Sequence, residues 1–297
     1  MKTAGTDVVW VELVASPWRP LLPTALPTNL DGAGKSEMVV LAANGEWRIA
    51  TSATGFMSRE SYRWGLPTDI RVAAHFIGDG RPEIAAFRPS NGFWYLIDPQ
   101  TGTQAALQWG QLGDVPATGD YDGDGRTELA IWRQSTGQWF IYNLTSGEVG
   151  QFRLGTIGDI PIPRDFDGDG KTDLAIYRPS TGVWQVFNIA TGVTGTYQWG
   201  IAGDIPVPAD YFGKGYMAIA IYRPSTGEWW IYDPGTGQYF GFHWGAPGDV
   251  PVPGDYIGDR RTDLAVWRPA TGAWFVHDLA TGAFFPVGLG APNEPPH

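Results

Sequence analysis

The chain has 297 residues, a formal net charge of −11, 41 Gly, 24 Pro, 15 Trp and no Cys. Aromatics at 14% are too many for a disordered chain, and no stretch longer than eleven residues lacks both Gly and Pro, which excludes coiled coils, helical repeats and the helix-rich Rossmann and TIM-barrel folds. The acidic balance argues against nucleic acid as a partner, no apolar run reaches the ~20 residues that insert across a membrane, and the lack of Cys removes disulfides and thiolate chemistry.

Residues 1–7 show no apolar signal-peptide core in the chain as given. Residues 8–18, from Val8 to Trp18, match the fourth strand of a unit that then recurs six times, starting near residues 24, 70, 115, 160, 205 and 250. The copies headed by Asp120, Asp165, Asp210 and Asp255 align without gaps at 45 residues. His75 heads another copy 45 residues earlier, and Asn29 heads one of 46 residues before that. Each copy predicts four short strands, which in the fourth are 160–166, 173–178, 183–188 and 194–199. Ser180-Thr181-Gly182 and Thr191-Gly192 supply the turns, where Gly takes the backbone angles that hairpins need. The third strand is apolar at alternate positions on both faces (Trp184 and Val186 against Phe187 and Ile189), which suits a sheet packed on each side by a neighbour.

A four-stranded sheet recurring about every 45 residues is the mark of an all-β β-propeller. The reading is a single propeller over residues 1–297 with six four-stranded blades and an extra N-terminal strand at the closure. A seven-bladed ring with one incomplete blade is the alternative. Trp47, Trp94, Trp139, Trp184, Trp229 and Trp274 share one column, and Trp18, Trp64, Trp109, Trp199 and Trp244 another with Leu154 and Leu289 substituting; both read as core between blades. Arg88, Arg133, Arg178, Arg223 and Arg268 form a column whose heads are expected to pair with a turn Asp or carbonyl of the next blade. Asp69, Asp114, Asp159, Asp204 and Asp249 read as turn caps.

The loop that opens each unit carries the chemistry. In the third and fourth copies Asp120, Asp122, Asp124 and Glu128, and Asp165, Asp167, Asp169 and Asp173, stand at positions 1, 3, 5 and 9. A Gly at position 6 lets the loop curl until several oxygens converge, the donor set that calcium takes, and the backbone carbonyls of Arg126 and Lys171 at position 7 would complete it. An EF-hand would need its Glu at position 12, where Ile131 and Ile176 stand.

The D-x-D-G-D-G-x-x-D/E loop followed by L-A-x-x-R-P-S-T-G-x-W resembles the FG-GAP or VCBS-type repeat of integrin-α-like β-propellers, over residues 24 to 290. The resemblance implies a calcium ion between the first two strands of a blade, an extracellular or cell-surface setting, and relatives that include fungal lectins. Departures from the pattern grade the six loops. The sixth keeps Asp255, Asp259 and Asp263 but has Ile257 at position 3 and Arg260 at position 6; the first keeps Asn29, Asp31 and Glu37 but has Ala33 at position 5. The second has His75, Ile77, Asp79 and Glu83, and the fifth has Asp210, Phe212, Lys214 and Ala218, where the Lys214 ammonium is expected to replace an ion beside Asp210. Two calcium ions are expected, up to four if the weaker loops fill.

Tyr239, Phe240, Phe284 and Phe285 fall where other copies are small or polar, which makes them candidates for a ligand surface. The four His have no ligand spacing, and no catalytic motif is present, so no catalytic residue is assigned. The function expected is a non-enzymatic, calcium-binding, secreted or cell-surface recognition module for carbohydrate or protein ligands, monomeric, with no nucleic-acid partner and no membrane insertion. A purely structural propeller and a polysaccharide-acting enzyme are the alternatives.

Overall fold

The computed structural model describes residues 35–41, 46–77, 82–98, 101–289 and 292. Among them the regular structure is β-strand apart from one short 3-10 turn at Ser52–Thr54. Blade 1 holds β1 (Met38–Leu41), β2 (Glu46–Ala50) and β3 (Arg59–Arg63). Blade 2 holds β4 (Ile70–Ala74), β5 (Glu83–Arg88), β6 (Phe93–Ile97) and β7 (Gln104–Gln108). Blade 3 holds β8 (Asp114–Pro116), β9 (Leu129–Arg133), β10 (Gln138–Tyr142) and β11 (Val149–Arg153). Blade 4 holds β12 (Ile160–Pro161), β13 (Leu174–Arg178), β14 (Val183–Phe187) and β15 (Thr194–Gln198). Blade 5 holds β16 (Ile205–Pro206), β17 (Ile219–Arg223), β18 (Glu228–Tyr232) and β19 (Tyr239–His243). Blade 6 holds β20 (Val250–Pro251), β21 (Leu264–Arg268), β22 (Ala273–His277) and β23 (Phe284–Gly288).

Each blade is an antiparallel sheet with its strands in chain order. The first strand expected for blade 1 and the one expected at 8–18 lie outside the described residues. First strands are shorter than the sequence predicts. In blade 4, β12 stops after two residues because Pro161 and Pro163 have no N–H to give the ladder. Pairing resumes only where Ile162 N donates to Ala175 O at 2.7 Å and at the single bridge between Arg164 and Asp173.

Second strands are buried on both faces: Leu129–Trp132, Leu174–Tyr177, Ile219–Tyr222 and Leu264–Trp267 all lie in the core. Fourth strands alternate between exposed and half-buried positions and form the outer rim. A sheet apolar on both sides must be flanked twice, and the core clusters show it. Trp132 and Trp139 of blade 3 pack with Leu174 and Ile176 of blade 4. Trp184 of blade 4 packs with Ile219 and Ile221, and Trp229 of blade 5 with Leu264 and Val266. The series closes on itself: Trp267 and Trp274 of blade 6 pack with Met38, Val40 and Phe56 of blade 1. Blade 1 also packs on blade 2, through Trp47, Ile49 and Ile84. The propeller therefore has six blades, with no gap for a seventh.

A backbone hydrogen bond repeats at the junctions. The N–H at loop position 8 donates to the carbonyl at position 1 of the preceding blade: Thr127 to His75, Thr172 to Asp120, Met217 to Asp165, Thr262 to Asp210 and, across the closure, Ser36 to Asp255 at 2.6 Å. Pro82 occupies this column in blade 2 and has no N–H to give. The Trp columns bind the blades as expected. Trp64, Trp109, Trp199 and Trp244 donate their indole N–H to carbonyls of the following blade, at Tyr95, Phe140, Trp230 and Phe275.

The Arg column differs from expectation. Each guanidinium forms a two-pronged pair with the turn Asp of its own blade, not the next: Arg88 with Asp69, Arg133 with Asp114, Arg178 with Asp159, Arg223 with Asp204 and Arg268 with Asp249. The Asp opens the first strand and the Arg ends the second, so antiparallel pairing sets them side by side; Asp114 faces Arg133 in the β8–β9 register. The same carboxylates cap their turns, as Asp159 does by accepting from Thr156 N at 2.9 Å. Since the Asp159 side chain is buried, Asp159→Ala should leave Arg178 without its partner and cost about 3 kcal/mol. Urea denaturation checks this, and the Asp159→Ala/Arg178→Ala double variant should cost clearly less than the sum of the single changes.

Candidate metal centres and the aromatic rim

The loops between the first and second strands share one end of the blades with the turns between the third and fourth. In blade 3, Gly123 and Gly125 take positive φ of 80° and 85°, which folds the loop back so that its N–H groups face Asp120. Asp120 accepts from Gly123 N at 2.7 Å and from Gly125 N at 2.9 Å. In blade 4, Asp165 accepts from Gly168 N and Gly170 N in the same way. Carboxylate oxygens of Asp120, Asp122 and Glu128 come within 4.8 Å of one another, and so do those of Asp165, Asp167 and Asp173.

The other predicted members stand apart from these groups. Asp124 caps Arg126 N and Asp169 caps Lys171 N, both at 2.8 Å, so each acid at position 5 turns back to its own loop. The Arg126 guanidinium reaches Thr145 Oγ1 at 3.0 Å. The acid at position 9 is also a structural cap: Glu128 accepts from Tyr121 N, Asp173 from Phe166 N, Asp263 from Tyr256 N and Glu83 from Phe76 N.

Burial pushes the Glu128 carboxyl up to about 7, against the Tyr121 N–H bond and with the charges of Asp122, Asp120 and Asp124 adding to it. Asp173 is raised to about 7 for the same reasons, with Asp167, Asp165 and Asp169 as its neighbours. Asp120 is raised more modestly, by burial first. Each centre thus holds carboxylates that crowd one another, as a cation would relieve.

Two residues missed from the sequence complete the centres. Asn143 donates from Nδ2 to Asp122 Oδ2 at 2.7 Å and to Glu128 Oε1 at 3.2 Å, while its Oδ1 accepts from Thr145 N and Ser146 N. Asn188 donates to Asp167 Oδ2 at 2.5 Å. Their column continues as Asp233 and Asp278, a switch from amide to acid that signals which loops keep a full acid set.

Among the described residues, the weaker loops gather no group of three acids. Asp255 accepts from Gly258 N and Arg260 N, and Asp259 caps Arg261 N. Burial raises Asp263 to about 7, with Asp278, Asp255 and Asp259 adding. Glu37 accepts from Ser52 Oγ at 2.7 Å. Asn29, Asp31 and Asp79 lie outside the described residues. In blade 5 the expectation for Lys214 is corrected. Its ammonium reaches Asp233 at 2.5 Å and not Asp210, which accepts the backbone N–H groups of Lys214 and Gly215. The Lys214 stem points from position 5 toward the turn between the third and fourth strands, where Asp233 stands in the column of Asn143 and Asn188. Burial alone would raise Asp233; hydrogen bonds from Lys214, Thr236, Tyr216 and Gly235 N outweigh it and hold the carboxyl well below the usual range.

The candidate ligand aromatics split by strand alternation. Tyr239 and Phe284 open β19 and β23 and point outward, 65% and 70% exposed. Phe240 and Phe285 are half-buried and pack instead on Phe212 and Phe56. Each exposed ring leans on the rim Trp of the preceding blade: Tyr239 on Trp199 at 5.6 Å and Phe284 on Trp244 at 5.8 Å. Beside the second pair, His277 lies between Phe242 and Trp244, and burial lowers its pKa.

Arg260 occupies loop position 6 with φ +67°, where Gly125, Gly170 and Gly215 stand in blades 3 to 5. A side chain in this left-handed region is strained. Arg260→Gly should therefore raise stability by about 0.5–1 kcal/mol, read as a higher melting temperature, despite the greater freedom Gly has when unfolded.

Residues 120–176 match the family model of the FG-GAP-like repeat. No curated protein matches in sequence. Among solved structures, the chain is similar to TolB from Acinetobacter baumannii, with TM-score 0.61 and 14% identity over 98% of this chain and 69% of that one. It is also similar to an Agrocybe aegerita lectin described for specific recognition of non-reducing terminal N-acetylglucosamine, with TM-score 0.56 and 16% identity over 92% of each chain. Apo AztD from Citrobacter koseri is a third, with TM-score 0.50 and 12% identity over 87% of this chain and 82% of that one. At such identities the likeness is one of fold.

Proposed function

We propose that this chain, an FG-GAP-repeat β-propeller, is a non-enzymatic calcium-binding recognition module that works outside the cell, on carbohydrate or protein ligands. The observation that carries the reading is the double convergence of three carboxylates at the same loop positions in blades 3 and 4. Calcium takes six to eight hard oxygens, and this donor set is oxygen only. Asp120, Asp122 and Glu128 hold one ion and Asp165, Asp167 and Asp173 the other, with Asp124, Asp169 and the carbonyls of Arg126 and Lys171 as further donors. The ion neutralises the crowded carboxylates and ties the first strand of a blade to its second.

Loops whose acids at positions 3 and 5 face water suit the millimolar calcium found outside cells. Among the described residues no helix is long and apolar enough to cross a membrane. The exposed Tyr239 and Phe284 rings, each set against a Trp, offer apolar faces of the kind that stack on sugar rings, which favours carbohydrate over protein as the ligand. The lectin of similar fold supports the same reading.

Calorimetric titration of chelator-stripped protein should find two calcium ions. Each should stabilise the fold by about 2.7 kcal/mol at a hundredfold excess over Kd. Asp122→Ala or Asp167→Ala should each remove one ion, and Asp210→Ala should leave the count unchanged. Fewer than two ions, or no thermal shift in millimolar calcium, sinks the metal reading.

A glycan array with and without chelator tests the ligand. Tyr239→Ala and Phe284→Ala should lose sugar binding while keeping the wild-type melting temperature. An array with no hits returns the protein to a structural role, and turnover of a polysaccharide would make it an enzyme.

A further inference from the structure

The two acid loops touch. Thr172 N, one residue before the carboxylate of Asp173, donates to the Asp120 carbonyl at 2.7 Å. The Thr172 side chain fills the space beside Gly119, where a Cβ would stand 2.5 Å from Thr172 Cγ2. The Lys171 stem crosses the loop at Gly123, where a Cβ would meet Lys171 Cγ at 3.1 Å. Gly123 is also the residue whose N–H orients the Asp120 carboxylate. The backbone that aims one carboxylate set is thus bonded to the backbone that carries the other, and the segment 120–176 that matches the family model encloses both loops.

We infer that Thr172 and Lys171 are positioning residues for the cation site of blade 3, so that the two sites fill as a positively coupled pair; this rests on the calcium reading above. Three carboxylates without a counter-ion repel, and a loop so loaded loosens. An ion in blade 4 holds Asp173 and the residues before it, and with them the Thr172 N–H that fixes Asp120. The ion in blade 3 then meets a loop already ordered, and the same ordering runs in reverse. Direct repulsion between the ions opposes this. Asp122 and Asp167 are exposed, however, so water and salt damp the field over roughly 8–10 Å, whereas the hydrogen bond is a contact. Neighbouring junctions have the same bond but not two gathered loops. Met217 N meets Asp165 O from a loop that carries Lys214, and Thr127 N meets His75 O in a loop with Ile77 at position 3.

Thr172→Pro removes the N–H, and Pro82 shows that this column accepts proline in blade 2. Thr172→Ala keeps the N–H and trims the side chain, which separates loss of the bond from loss of packing. Calcium titration of wild type should give a Hill coefficient above 1, and Asp167→Ala should weaken the remaining blade 3 site at least fivefold. In the Thr172→Pro background the same Asp167→Ala change should leave blade 3 affinity unaltered, while in Thr172→Ala it should still weaken it. Two independent sites in wild type, with blade 3 affinity indifferent to Asp167→Ala, overturn the coupling and leave the calcium reading intact. No bound calcium at all overturns both.

Discussion

Everything in this molecule follows from sheets that are apolar on both sides. The second strand of a blade has nowhere to put Leu174, Ala175, Ile176 and Tyr177 except between two other sheets, and all four are buried. One blade cannot satisfy this, and a linear stack would leave two faces bare. A ring satisfies it for every member, provided the last blade meets the first. Phe56 and Met38 packed on Tyr256 and Trp274 are that meeting, and the Ser36 bond to Asp255 is the same bond that joins the interior junctions. The rest of the architecture is fitted around this requirement, including the short proline-broken inner strands and the alternating outer ones.

The repeat makes the fold legible in the sequence alone. A fixed 45-residue period with Gly-bearing turns leaves little freedom in strand number or order, and the columns of Trp sit between blades as their spacing suggests. Partner identity was less legible. The Arg column pairs within its own blade because antiparallel register, not sequence distance, sets Arg178 beside Asp159. Asn143 and Asn188 were missed because an amide opening a turn looks like an ordinary turn former; only the folded hairpin brings it against the acid loop. The position 5 acids look like ligands by spacing yet accept from the N–H two residues on, a local bond that holds each to its own loop. Alternation decided the rim: adjacent aromatics in one strand face opposite ways, so Tyr239 is outside and Phe240 inside.

Copies within one chain also serve as variants of each other. Blades 3 and 4 have acids at positions 3 and 9 with a neutral amide across from them. Blade 5 has Phe212 and Ala218 there, Lys214 at position 5, and Asp233 in place of the amide. Charge has moved from loop to turn, and a tethered ammonium now bonds where the amides stand elsewhere. The opposite end of the blades carries its charge as Arg–Asp pairs, already neutralised. Much of the acidity of the chain is therefore presented at one end only.

The closure has a temporal side. Arg59 of blade 1 donates to the carbonyl of Gly288, 229 residues further along. A chain emerging at about 5–20 residues per second needs roughly 10–45 s to cover that span. Until blade 6 has emerged, Met38, Val40 and Phe56 lack the sheet they pack on in the finished ring, whereas blade 2 follows directly on the other side of blade 1. The first blade made is the last to be finished, and its bare flank is the surface on which two nascent chains would most readily find each other.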